Sequence, residues 1–437
     1  MDLVDIDPLE RLAASIRDRS AVVAVIGLGY VGLPLLVAVR QAGFDAIGLD
    51  VDPAKIETLA DGRSYIVDVP SSEIAGLDRT TFTDDAATLE RADVVVLCLP
   101  TPLADGAPDL SMVRAAAETV AAHLRPGMLV ILESTTWPGT TEEFLRPILE
   151  AGGLVAGTDI ALAYSPERID PGNTGHRLTT TPKIVSGLTD RCRDLAVSFY
   201  APIVGSVAVT ASPRDAEMAK LIENTYRQVN IALVNELAVM AKDLGVDIWE
   251  ALHAAATKPF GYQPFWPGPG VGGHCIAIDP TYLSWRAGQQ LGYRVGFIEH
   301  ANEVNNRMPD YIATRVAEML NAAGKAVNGS LVLGVGVAFK AGVDDLRGSP
   351  AVEVLERLDA KGADVRFHDP FVETVTIGGR ELRSVPVDPG TLAETDAVIV
   401  LTAHPQIDVH AIVAGAPLVF DARGATVGID EPHVERL

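Results

Sequence analysis

Residues 21–50 read AVVAVIGLGYVGLPLLVAVRQAGFDAIGLD. The apolar run 21–26 has the length and β-branched content of a buried strand. Gly27-Leu28-Gly29-Tyr30-Val31-Gly32 follows it, then a helical pattern through about Gln41 and a second strand over 46–50. In a G-x-G-x-x-G set between strand and helix, the first glycine makes a tight turn. The second lets backbone amides approach a pyrophosphate at the helix N-terminus, and the third allows close helix-strand packing. An acid at the tip of the next strand then holds ribose hydroxyls, and Asp50 stands there, about twenty residues on. The pattern predicts a dinucleotide site, and the acid favours NAD over NADP. Asp52 competes for the ribose role, and Lys55 is placed to reach the same ribose or the adenine rim. A glycine-rich turn without a ligand is the plainer alternative, and the strand, helix and acid together argue against it.

The alternation of short apolar runs with helical patterns continues outward, with strands expected at 94–99 and 128–133. It reopens at 331–335, 365–369 and 397–402. This is the signature of parallel sheets with crossover helices, met twice. The fold class is therefore α/β: two Rossmann-like parallel-sheet domains joined by a long central helix and a helical dimerisation segment. A chain of 437 residues is also longer than one core usually organises. The long helix is delimited by Ser212 as N-cap, Pro213 in the first turn with Asp215 and Glu217 after it, and Gly245 as stop. About thirty residues give roughly 45 Å. Its second half, 231–244, is apolar on nearly every face and is expected to be buried on all sides, against a second subunit. The expected divisions are an N-terminal extension (1–20), an NAD-binding Rossmann domain (21–211), a central helical dimerisation domain (212–325) and a second Rossmann-like domain (326–437).

Composition narrows the function. No stretch approaches the ~20 apolar residues a membrane span needs. The acids Asp2, Asp5, Asp7 and Glu10 replace the basic start of a secretory signal. Three scattered cysteines, Cys98, Cys192 and Cys275, make no disulfide framework and fit a reducing cytoplasm. A net charge of −23 disfavours nucleic acid and anionic membranes, so an anionic small molecule must be bound by local donors. No metal site is expected.

Residues 258–279, KPFGYQPFWPGPGVGGHCIAID, hold five glycines and four prolines. They read as a stiff loop whose backbone amides a ligand can approach. Cys275 closes it, just before Asp279-Pro280, which reads as the cap and first turn of another helix. The plain readings are a small buried hydrophobe at Cys275, a simple cap at Asp279 and a loop residue at His274. Lys220 and Asn224, at i and i+4, share one face of the long helix. Apolar neighbours Leu221, Ile222, Val229 and Leu233 leave this pair either half exposed or held for a purpose.

Six stretches then carry a resemblance: GLGYVGLP from Gly27, ESTTWPGT from Glu133, YSPER from Tyr164, AKLIENTYRQVNIALVNELA from Ala219, PGPGVGGHC from Pro267 and VAFKAGVDDLRGSP from Val337. In order and in kind they resemble the UDP-glucose/GDP-mannose dehydrogenase family over about 21–425. The resemblance implies NAD as cofactor, a nucleotide-sugar substrate and a homodimer or dimer-based oligomer. By position it implies Cys275 as nucleophile, Asp279 as its catalytic partner, Lys220 and Asn224 as oxyanion donors, Glu167 as water-activating base and Thr135 on a catalytic water. It further places Thr101 with the cofactor, and Arg347 where an arginine reaches the cofactor or the substrate from the neighbouring subunit. Arg168, Gly272, Gly273, Phe339 and Lys340 fall with the sugar nucleotide.

The implied chemistry uses these residue types together. A first hydride loss from a primary alcohol gives an aldehyde, which Cys275 traps as a thiohemiacetal. A second gives a thioester for water to hydrolyse. Both tetrahedral species carry developing negative charge that Lys220 and Asn224 would stabilise. A nearby lysine or helix N-terminus would favour the thiolate. Glu167 and Asp279 are rivals as the hydrolytic base.

The cysteine loop resembles the branch that acts on UDP-N-acetylhexosamines, such as UDP-N-acetylglucosamine. The UDP-glucose pattern F-G-G-x-C-F-P-K-D is met here by Val271, Ile276, Ala277 and Ile278 at its distinguishing positions. Ala277 also replaces a common proline, and Pro171 stands where the glucose branch often has a second glutamate. The alternatives are a UDP-glucose or GDP-mannose 6-dehydrogenase, and a two-electron 6-phosphogluconate or 3-hydroxyacid type, which needs neither the cysteine nor a second Rossmann-like domain. A catalytically silent nucleotide-sugar sensor is the remaining reading.

Overall fold

A computed structural model describes residues 7–66, 68–169, 175, 178–273 and 275–437; His274 and Pro171 lie outside them. The chain forms two compact units, Met1–Glu223 and Asn224–Leu437.

The first unit is built on an eight-stranded sheet: β1 (Val22–Ile26), β2 (Asp45–Leu49), β3 (Thr80–Thr83), β4 (Val94–Leu97), β5 (Leu129–Leu132), β6 (Ala161–Tyr164), β7 (Lys183–Gly187) and β8 (Val207–Val209), in the order β8-β7-β6-β5-β4-β1-β2-β3. Only the β6/β7 pair is antiparallel. Strands β4, β5 and β6 are buried at every position; β4 and β5 are continuous Val/Leu/Ile runs, as strands covered on both faces are, and β6 reads Ala-Leu-Ala-Tyr. Alternation within β1 sends Val23 and Val25 to one core and Ala24 and Ile26 to the other. The sequence reading did not name β3, β6, β7 or β8. The residues of β3, Thr-Thr-Phe-Thr, are only half buried at the sheet edge and offer no apolar run.

The N-terminal extension is a docked helix, α1 (Pro8–Asp18), capped by Asp7, whose carboxylate accepts from Leu9 N. Leu9, Leu12 and Ile16 recur at helical spacing and enter the first core, each worth ~1.5–3 kcal/mol on full burial. Arg191 pairs with Asp7 at 2.6 Å and fixes its start. Helix α2 (Gly32–Gln41) follows β1, α3 (Pro53–Ala60) follows β2, and α4 (Asp190–Tyr200) follows β7.

In the second unit β9 (Leu331–Val335), β10 (Asp364–His368), β11 (Ala397–Val400), β12 (Val419–Asp421) and β13 (Val434–Arg436) form a parallel sheet ordered β10-β9-β11-β12-β13. In each sheet the first strand has its successor on one side and a later strand on the other: β1 between β2 and β4, β9 between β10 and β11. The order reverses there, and ligands of open α/β sheets bind at such switch points.

The long helix is α5 (Pro213–Asp243), 31 residues or ~46 Å. Ser212 Oγ accepts from Asp215 N at 3.2 Å and donates to Asp215 Oδ2 at 2.8 Å. This is a reciprocal cap. Gly245, at φ +69°, supplies the left-handed stop. The expectation that 231–244 is buried on all sides does not hold within the chain. Val234, Asn235, Ala238 and Ala241 are buried, while Leu233, Met240 and Leu244 stand 50%, 50% and 68% exposed. Ile222 and Tyr226 are also exposed, so one apolar stripe runs along an otherwise packed helix. Helices α6 (Asp279–Leu291), α7 (Gly296–Ala322) and α8 (Pro350–Ala360) also belong to the second unit. No helix among the described residues is long and apolar enough to cross a membrane.

Candidate active site

At the tip of β1, Gly27 takes φ +91°, and a Cβ there would lie 2.4 Å from the Cys98 carbonyl oxygen. A Cβ on Gly32 would lie 1.8 Å from Gly27 O, so the first turn of α2 rests directly on the loop. Gly29, by contrast, faces open space. Tyr30 and Val31 are half buried against the core, and α2 begins with no side-chain cap among the described residues, its Leu33 N donating to Gly29 O at 3.1 Å. Asp50 is buried at the tip of β2. Its Oδ2 accepts from Leu28 N at 2.8 Å and pairs with Lys55 Nζ at 3.1 Å, and its Oδ1 accepts from Asp52 N at 3.0 Å. Asp52 is instead the cap of α3, accepting from Ala54 N, which leaves Asp50 as the ribose candidate. Tyr65 donates to Leu28 O at 2.6 Å. Burial, with Asp50 and Asp52 nearby, pushes its phenol up, so it stays a donor. An open second glycine, uncapped amides and a fixed acid fit a pyrophosphate and its ribose.

The loops after β4 and β5 are stitched together: Leu99 N donates to Ser134 Oγ at 2.9 Å, and Thr101 Oγ1 to Thr135 O at 2.9 Å. Thr101 is buried and Thr135 half buried. After β6, Glu167 is 8% exposed, and its Oε1 accepts from Arg168 N and Ile169 N, each at 2.6 Å. Arg168 reaches the Pro182 carbonyl at 2.7 Å and pairs with Glu223 at 2.6 Å, so its guanidinium is already committed. Lys220 on α5 is also 8% exposed, and its charge acts on Glu167. The alternative of a solvated Lys220/Asn224 pair falls, since Asn224 is only 4% exposed.

In the second unit Cys275 is exposed, whereas Cys98 and Cys192 are buried. The plain reading of Cys275 as a buried hydrophobe is thus wrong. The Cys275 carbonyl accepts from Ile278 N at 3.3 Å and Asp279 N at 2.8 Å. This turn delivers the chain into α6 with Asp279 as first helical residue. Asp279 is therefore not the cap expected from sequence, because Ile278 occupies that place. The buried Asp279 carboxylate accepts from Asn224 Nδ2 at 2.5 Å.

The glycines before the thiol are packed, which corrects the picture of an open loop. A Cβ on Gly272 would lie 2.6 Å from Pro350 Cδ, and one on Gly273 2.8 Å from the Phe339 ring. Gly273 N donates to Arg347 O at 3.0 Å, and Gly268 N to Asn235 Oδ1 at 2.9 Å. Arg347 itself is exposed and pairs with Asp345 at 2.6 Å. Phe339 and Lys340, half buried, lie on the loop after β9. Asp369 Oδ2 braces that loop by accepting from Val337 N at 2.8 Å and Ala338 N at 3.2 Å. His404 joins Asp369 at 3.1 Å and accepts from Gly342 N at 3.2 Å.

Three domains of one family match the sequence in order: the NAD-binding domain of the UDP-glucose/GDP-mannose dehydrogenase family at 21–204, its central domain at 214–307 and its UDP-binding domain at 333–427. A UDP-N-acetyl-D-glucosamine 6-dehydrogenase of Pseudomonas aeruginosa is 36% identical over 87% of this chain and 90% of its own. The chain belongs to the UDP-glucose/GDP-mannose dehydrogenase family. Among solved structures, a UDP-N-acetyl-D-mannosamine dehydrogenase of Pyrococcus horikoshii superposes with TM-score 0.85 at 33% identity, covering 95% of this chain and 98% of that one. A UDP-glucose dehydrogenase of Pyrobaculum islandicum gives 0.82 at 29%, covering 95% and 97%.

This nucleotide-sugar dehydrogenase is an NAD-dependent oxidoreductase. Its sites include residues that sequence reading passed over. Asp369 ends β10's run as Asp50 ends β2's, and that shared position was a usable signal. Lys183 opens the strand Lys-Ile-Val-Ser-Gly at 2% exposure, and a lysine heading such a short run was another usable signal. Tyr65, Asn235 and His404 carry no local pattern.

Proposed function

We propose that this dehydrogenase oxidises the C6 hydroxymethyl group of a UDP-N-acetylhexosamine to the carboxylate, with two NAD consumed and a thioester on Cys275 between the two oxidations. The observation that carries the reading is the exposed Cys275 thiol on a turn closed by the Asp279 amide, with the Asp279 carboxylate locked to Asn224. The N-acetylhexosamine reading is supported by the relatives from Pseudomonas and Pyrococcus and by the PGPGVGGHCI loop. The division 21–211, 212–325 and 326–437, with 1–20 preceding it, belongs to the same proposal. So do a dimer held along the exposed stripe of α5 and action in the cytoplasm.

NAD, when bound along Gly27–Gly32 and Asp50, supplies a hydride acceptor for each oxidation. The Cys275 S–H bond breaks as sulfur adds to the aldehyde carbon, and that proton goes to the carbonyl oxygen. The second oxidation takes the hydride from this carbon and releases the hydroxyl proton to solvent, so that the same carbon is a thioester. Water then attacks it, the C–S electron pair returns to sulfur, and the proton lost by water goes to Glu167. Lys220 and Asn224 hold the two oxyanions. Asp279 aims the Asn224 amide by accepting one of its hydrogens, leaving the other for the oxyanion. Lys340 and Phe339 take the nucleotide sugar, with Gly272 and Gly273 keeping the thiol loop against them.

NADH counting across UDP-N-acetylglucosamine, UDP-N-acetylmannosamine, UDP-glucose and GDP-mannose tests the reading. Two NADH per carboxylate, with an N-acetylhexosamine preferred, are expected. One NADH per turnover would defeat the thioester route, and a preference for UDP-glucose or GDP-mannose the substrate assignment.

A further inference from the structure

At the ends of three strands of the first unit, Glu133 follows β5, Glu167 follows β6 and Lys183 opens β7. They are 1%, 8% and 2% exposed. Lys183 Nζ lies 2.9 Å from Glu167 Oε2 and 3.1 Å from Glu133 Oε1. The Tyr200 hydroxyl, on α4, donates to the same Glu133 oxygen. Glu133 Oε2 is buried and has no hydrogen-bond partner among the described residues.

Two carboxylates share one ammonium here, and the surplus charge is buried. Desolvation and like charge make full ionisation of such a pair costly, so a proton settles on one member. The environments decide which. Glu167 has its Oε1 filled by two backbone amides and its Oε2 by Lys183, with the Lys220 charge also acting on it. Burial pushes it up, but these donors and charges hold it below the usual carboxylate range. Glu133 faces Lys183, the Tyr200 phenol, the buried Cys98 thiol and the Glu167 charge. Burial, then Glu167, push it to about 7 despite Lys183. Its bare Oε2 is where a carboxyl proton would sit. Of roughly four acceptor positions on a carboxylate, three on Glu167 are filled by described residues, leaving one on Oε2, the oxygen Lys183 fixes.

We propose that Lys183 is a positioning residue for Glu167, and that Glu133 is the carboxyl group that takes the proton so that Glu167 stays an ionised acceptor with one aimed lone pair. The proposal rests on Glu167 as hydrolytic base. In that step the water O–H bond breaks toward Glu167 Oε2, the C–S bond breaks toward sulfur, and the carboxylic acid product later ionises.

The test is the acid limb of thioester hydrolysis, followed by rapid quench and intact mass of the Cys275 adduct. The substrate is UDP-N-acetylglucosamine or UDP-N-acetylmannosamine, whichever the wild type oxidises. Lys183→Met should raise the limb by about one pH unit or more, so that at a pH below the limb hydrolysis slows about tenfold while KM for the UDP-sugar holds. Glu133→Gln copies the protonated carboxyl and should leave the limb where wild type has it. Because Lys183→Met alone leaves two buried carboxylates facing each other, the double variant Lys183→Met/Glu133→Gln guards against misfolding, and Lys183→Arg should restore the wild-type profile in part. If the folded double variant kept the wild-type limb while wild type still made two NADH, the Lys183 assignment would fall and the thioester reading would stand; a folded Glu133→Gln whose limb moved would remove Glu133 as the protonated partner. A wild type that makes one NADH, or oxidises neither sugar, would take both down.

Discussion

The Asn224 amide nitrogen lies 2.5 Å from Asp279 Oδ2, and both side chains are buried. One side-chain amide thereby reads the start of α6, four residues after the thiol. Asn224→Ala removes a donor and leaves the Asp279 carboxylate short of a partner. Turnover should fall by roughly 10²–10³-fold, as for other oxyanion donors. Asn224→Asp sets two carboxylates together and should be worse at pH 8 than at pH 6. A kcat profile for both variants checks this, and equal losses at the two pH values would contradict it.

Cys275→Ser should abolish carboxylate release, on the order of 10³-fold or more, because serine is a weak nucleophile and an ester a poorer acyl donor. UDP-sugar binding should persist. Mass spectrometry of the variant with substrate and NAD should show either no adduct or a stalled ester at position 275. Carboxylate formed at near wild-type rate would end the covalent mechanism.

Asp50→Ala removes the acceptor of Leu28 N and the partner of Lys55. KM for NAD should rise about tenfold or more, the worth of a charged hydrogen bond, and the penalty against NADP should shrink. Ratios of kcat/KM for the two cofactors measure it, and an unchanged ratio would shift the ribose role elsewhere.

Glu217, fully buried at the start of α5, accepts from Gly139 N at 2.5 Å, Thr141 N at 2.8 Å and Thr141 Oγ1 at 2.7 Å. Burial outweighs these donors and raises it from 4.5 to about 7. A raised carboxyl binds more protons folded than unfolded between those values, so its contribution to stability is greatest below pH 4.5 and declines as pH climbs to 7. Glu217→Gln should therefore gain on wild type by about 2 kcal/mol between pH 5 and pH 7.5. Urea midpoints at the two pH values decide it, and a pH-independent difference would refute the shift.

Leu233, Met240 and Leu244 make an exposed apolar stripe on α5. If a second copy covers it, wild type should sediment as a dimer at micromolar concentration and Met240→Glu should dissociate it. A monomeric wild type would dispose of the dimer.

The glycine loop, the acid at Asp50 and the long helix with both its ends were legible because each depends on local rules: positive φ, a strand tip, a cap and a stop. The burial pattern of α5 was not, since apolar content on every face does not say which faces the chain itself covers. Asp279 was misplaced by one position because the turn from Cys275 carries the helix start one residue further than Asp-Pro suggests. The Glu133/Lys183/Glu167 cluster lay beyond sequence reading, as its members come from three strands brought side by side only by the sheet order.

The packing of Gly272 and Gly273 onto Phe339 and Pro350 has an evolutionary corollary. The segment that carries the reactive sulfur and the segment proposed to grip the sugar nucleotide are fastened by a backbone bond and by contacts with no room for a side chain. A change at 339–350 that widened the grip for a different sugar would also displace the sulfur. New specificities in this scaffold should therefore arise through paired changes in both segments, and single-site libraries aimed at the sugar pocket alone should yield mostly slow enzymes rather than enzymes of altered preference.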